Sequence, residues 1–77
     1  MSMLLPQTRT GVVVSSAPVD IHGDRFFDVT LAFDGANPGE APVTSRVSAT
    51  ECPAGLAVGE RVAARLVLGI ITRVTRP

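Results

Sequence analysis

Seventy-seven residues with a single cysteine make one small domain, near the lower limit for a stable core and without an internal disulfide to staple it. All seven basic residues are Arg and are matched by seven acids, so the net charge of zero argues against strong indiscriminate binding to polyanions. No apolar run approaches the length of a bilayer crossing, and the N-terminus has no charged stretch leading into an apolar one, so the chain reads as cytoplasmic.

The mean hydropathy of +0.34 is high for a soluble monomer of this size and points to a buried subunit interface. A homo-oligomer is therefore expected. The neutral total hides an asymmetry. Residues 1–60 carry Arg9, Arg25 and Arg46 against seven acids, a balance of −4, while residues 61–77 carry Arg61, Arg65, Arg73 and Arg76 with no acid, a balance of +4. A segregated basic face of this kind still permits polyanion binding.

In chain order, residues 1–10 lack periodicity, contain Pro6, and read as a flexible arm ahead of a domain over 11–77. Gly11-Val12-Val13-Val14-Ser15-Ser16 is β-branched and predicts a first strand, which Ala17-Pro18 bends or ends. Val19-Asp20-Ile21 continues it past a bulge, and His22-Gly23-Asp24 signals a turn. The next segment, Arg25 to Phe33, alternates cleanly. Phe27, Val29, Leu31 and Phe33 take the inward face, and Phe26, Asp28, Thr30 and Ala32 the outward one.

Residues 34–40 are dense in turn formers and acids and read as a loop. Pro42 to Ala49 predicts a third strand, with Val43, Val47 and Ala49 inward and Arg46 outward. Pro53 is placed to open a short helical piece and Gly55 to close it, within Cys52 to Val58. From Val62, the residues Val62, Ala64, Leu66 and Leu68 share one face of a fourth strand, and Arg61 and Arg65 lie on the other. Gly69 predicts a bulge or sharp corner leading into a fifth strand from Ile70 to Thr75. The expected core is Phe27, Val29, Leu31, Phe33, Val47, Val62, Leu66 and Leu68.

The order strand, strand, strand, short helix, strand, strand is that of the OB-fold, a five-stranded all-β barrel with a connecting helix between strands three and four. The chain resembles a minimal OB-like barrel with that helix reduced. Within the class it is similar to the small single-stranded-DNA-binding proteins of filamentous phages. The residues that carry this resemblance are Gly23-Asp24-Arg25-Phe26, Pro42-Val43, Pro53-Ala54-Gly55-Leu56 and Arg73-Val74, spanning most of residues 11–77. The resemblance implies a short, dimeric protein that binds single strands with aromatic and basic residues on a barrel face. The chain departs from that pattern in having no Tyr, Trp or Lys.

OB-folds hold single strands by stacking bases on aromatics while Arg or Lys follows the phosphates. The candidate nucleic-acid-binding residues are Arg25, Phe26, Arg46, Arg61 and Arg65, all assigned to the non-core face. Arg61 and Arg65, four residues apart on a strand, would lie roughly 13 Å apart on one face. The competing reading makes these arginines solvated exterior and Phe26 an interface residue. The protein is then an interaction or oligomerisation module that assembles through its outer face and strand edges.

Other chemistry is poorly served. Asp20, His22 and Asp24 alternate, but Gly23 turns the chain among them, so hairpin residues are favoured over a metal site. Cys52 precedes a proline, the only histidine stands thirty residues earlier, and no glycine pattern cradles phosphate. No catalysis, metal or cofactor is expected.

Overall fold

The computed structural model describes residues 6–77 and is all-β. Its strands are β1 (Gln7–Ile21), β2 (Asp24–Phe33), β3 (Val43–Ser48), β4 (Arg61–Val67) and β5 (Ile70–Thr75). They form one antiparallel sheet in the order β3-β2-β1-β4-β5. The sheet is not closed by a backbone ladder. Its two edge strands nevertheless pack side by side, and the Ile71 amide donates to Ser45 Oγ at 3.0 Å.

β1 begins at Gln7, so residues 7–10 are not part of a loose arm but pair with β4. The rest of the arm assigned from sequence, residues 1–5, lies outside the described residues. β1 also runs through Pro18 unbroken, and the irregularity falls earlier, between Val13 and Ser15. The ladder explains why Pro18 is tolerated. The Val13 amide donates to Glu60 O at 2.9 Å and the Val13 carbonyl accepts from the Gly59 amide at 2.8 Å, so Val13 turns its backbone away from β2. Its partner Leu31 is therefore turned away from β1, as is Phe27 four residues back, and with Phe27 its partner Pro18. The missing N–H of Pro18 falls on the open edge of β1, where no ladder bond is lost.

The inward face of β2 is the centre of the core. Phe27, Val29, Leu31 and Phe33 are all buried, against Val13, Val47, Val62, Ala64, Leu66, Ile71 and Val74. On β5 the buried residues are three apart, because a shift in register leaves Thr72 unpaired between Ile71 and Arg73. That insertion turns both Ile71 and Val74 inward.

Two further expectations are corrected. Leu68 is 64% exposed rather than core, because it occupies the β4–β5 turn with φ 52° beside Gly69 at 79°. Positive φ at both central residues is the tight two-residue hairpin that suits the twist of its strands, so Gly69 closes a hairpin and not a bulge or corner. The reduced helix is also displaced. A 3₁₀ turn covers Ala49–Glu51, ahead of the Cys52–Val58 segment, because Ser48 caps it by accepting from the Thr50 amide. Gly55 and Gly59 serve later turns with φ 74° and 86°.

Two neighbouring leucines test this register. Leu66→Ala should cost about 2–5 kcal/mol in denaturant unfolding, because Leu66 is in the packed core. Leu68→Asn should instead raise stability by about 0.5–1 kcal/mol, since asparagine adopts positive φ at less cost than leucine.

Candidate nucleic-acid interface

Cross-strand register decides which of the candidate residues meet. Arg25 stands opposite Asp20 near the β1–β2 turn and donates to it twice, from Nε at 2.8 Å and from an η nitrogen at 3.0 Å. By alternation it lies on the opposite face from Phe26, which corrects its assignment to the same face. Phe26 is half-buried between Val19 of β1 and Ser48 of β3. Arg46 lies opposite Asp28 and grips it in the same forked way, at 2.8 and 3.1 Å.

Arg61 and Arg65 share the outer face of β4, opposite Val12 and Thr8 of β1. Arg61 is bound to Asp34, whose carboxylate also accepts from the Thr10 hydroxyl at 2.8 Å. The candidates therefore form three separate groups. Arg25 is at the hairpin end, Phe26 and Arg46 are on β2 and β3, and Arg61 and Arg65 are on β4. Between the rows that hold Phe26 and Arg65, β1 runs on the order of 30 Å.

The remaining arginines follow the same rule of pairing. Arg9 pairs with Glu40 at 3.5 Å and lies over the Phe33 ring, Arg73 with Glu51, and Arg76 with Glu60 at 2.6 Å. Six of the seven arginines thus have an acidic partner. Arg65 has none among the described residues. Sequence reasoning missed Arg73, which stands directly opposite Arg65 on β5. Only the Thr72 insertion puts it there, and no feature of the sequence announces that insertion.

An open cavity of about 490 Å³ lies between residues 50–53 and β5. Cys52 lines it, and burial pushes its thiol above the ordinary value, more than nearby Arg76 pulls it down. The nucleophilic thiolate is thus disfavoured. No three metal-ligating side chains gather among the described residues, and Asp20 is occupied by Arg25.

No family model, curated protein or solved structure matches the chain. No helix among the described residues is long and apolar enough to cross a membrane.

The ion pairs set an acid dependence. Hydrogen bonds from Arg25, Arg46 and Arg76 hold Asp20, Asp28 and Glu60 below their ordinary values of 3.8, 3.8 and 4.5. For Asp34 the largest cause is the Thr10 hydroxyl, followed by Arg61. Because these acids are lower in the folded state, their contribution is complete above the ordinary values and is lost as pH falls through the folded ones. Denaturant midpoints should hold steady down to about pH 5 and drop below it, and Arg46→Gln should reduce the drop. A midpoint independent of pH across that range would show that the pairs contribute nothing.

Proposed function

We propose that the protein binds single-stranded nucleic acid without catalysis, as a small OB-like barrel acting in a homo-oligomer. The observation that carries this reading is the outer face of β4. It presents Arg61 and Arg65 four residues apart and exposed, next to a strand, β5, that holds no acid. Arg25, Arg46 and Arg61 are occupied by aspartates and would have to exchange those partners for phosphate, which leaves Arg65 as the arginine without an acid among the described residues. Phe26 supplies one stacking surface at the far end of β1, worth roughly 1–3 kcal/mol per stacked base, so repetition of the site in an oligomer is needed for tight binding.

The barrel belongs to the same proposal. The strand order, which puts β3 and β5 at the two edges, and the Ile71–Ser45 bond between those edges support closure in the OB-like manner. The resemblance to the filamentous-phage proteins and the expected cytoplasmic location are further parts of this reading.

A specific observation favours the second reading, an oligomerisation module. Leu68 and Ile70 stand exposed together at the β4–β5 turn. Salt separates the two, because phosphate binding weakens steeply as salt rises and apolar assembly does not.

Low-salt titration with labelled single-stranded and duplex oligonucleotides should show binding of the single strand. Replacing Arg61 and Arg65 with Gln should weaken it and flatten the salt slope by about one counterion per lost contact. Absence of binding to either oligonucleotide would leave the assembly reading in place.

A further inference from the structure

A row of residues crosses the outer face from Thr8 of β1 through Arg65 of β4 to Arg73 of β5. The next row on that face is Thr10, Ala63 and Thr75. Two like charges directly opposite each other in a ladder repel. The chain nonetheless leaves Arg65 without an acid among the described residues, while Asp24 stands without an arginine at the far β1–β2 turn.

The opposition is a product of the register. Without the shift in register, Arg65 would face Thr72, and Arg73 would fall opposite the buried Ala64. With it, Arg73 emerges beside Arg65, and the Thr72 hydroxyl fastens the insertion by donating to Arg65 O at 3.2 Å. Glu51 takes only the Nε of Arg73, and the η nitrogens have no partner among the described residues. The hydroxyls of Thr8 and Thr75 are likewise unpartnered among them. Ala63 is small enough to leave a floor between these groups. Together they line a cleft of about 200 Å³, room for roughly six waters at about 30 Å³ each.

From this arrangement we infer that the cleft formed by Thr8, Arg65, Arg73 and Thr75 is a binding site for one phosphate group. Guanidinium groups present several donors in a plane and suit phosphate oxygens, and hydroxyls complete a tetrahedral anion's shell. An anion between the two arginines would also relieve their repulsion. The inference deepens the nucleic-acid reading and rests on it for the source of the phosphate, which is a strand's own phosphodiester or a free phosphate.

The test is a ¹H–¹⁵N NMR titration of the full chain with sodium phosphate at constant ionic strength set by chloride, followed by single-stranded oligonucleotide. Saturable shifts should appear at Thr8, Arg65, Arg73 and Thr75 and be absent with chloride alone. Arg65→Gln should weaken phosphate binding by about tenfold or more while the melting temperature stays level or rises, because a like-charge contact is removed. Competition by the oligonucleotide assigns the site to a strand's phosphates. Phosphate binding without competition keeps the site, assigns it to free phosphate and counts against the nucleic-acid reading. Wild-type shifts no larger than those in chloride would overturn the site whatever the variant does. So would a phosphate affinity that Arg65→Gln leaves unchanged, while the nucleic-acid reading survived.

Discussion

The fold depends on one strand serving two neighbours. Over Gln7–Thr10 β1 pairs with β4 alone, at Gly11 and Val12 it pairs with both β4 and β2, and from Val13 on it keeps only β2. The changeover needs backbones closer than a side chain allows. A Cβ built on Gly11 would lie 2.4 Å from the Ala32 carbonyl oxygen and 3.0 Å from Phe33 Cα, so only glycine fits at this crossing. Just past it the Val14 irregularity lets β1 swing away from β4 and stay with β2. Residues from all five strands then share one buried cluster, in which Leu31 is fully buried.

That crossing also governs the charges. Because β1 separates β2 and β3 from β4 and β5, most of the acids in and around β2 are spent on partners near them. Asp28 meets Arg46 and Asp20 meets Arg25, while Asp34, at the end of β2, reaches Arg61. Exposed pairs of this kind add little to stability, but they cancel much of the field that a run of four arginines in residues 61–77 would project. What remains positive is local, at Arg65, which stands beside the Glu51-paired Arg73. The −4 and +4 halves read from composition are therefore not two charged faces but largely one set of neutralised contacts.

Strand identity was legible wherever alternation was unbroken. The inward residues of β2, together with Val47, Val62 and Leu66, were readable because a buried face with period two leaves no other register. Val74, Leu68 and Arg73 were not. Each depends on whether a residue sits in a ladder, in a turn or in an insertion, which is set by how two strands meet. Extending the β4 alternation one step too far put Leu68 in the core, although Leu-Gly between two apolar runs is short enough to be a turn. The candidate arginines were found by type and exposure, but their aspartate partners lie 5, 18 and 27 residues away and were invisible without the register.

The same ladder bears on how copies of the chain would meet. An open strand edge ordinarily invites pairing with another chain. On β1 the outward-turned positions after Val13 include Ser16, Pro18 and Asp20, so the middle of that edge lacks a donor and a charged side chain stands beside it. Edge-to-edge extension is obstructed there. The exposed apolar residues lie elsewhere, with Leu68 and Ile70 at the β4–β5 turn and Val14 and Val58 where the loop before β4 crosses the β1 irregularity. Assembly, if it follows the exposed apolar surface, thus uses side chains and not a continued sheet. Ile70 stands opposite Val67 on the outer face, beside the row of Arg65 and Arg73, so assembly through it would border that row.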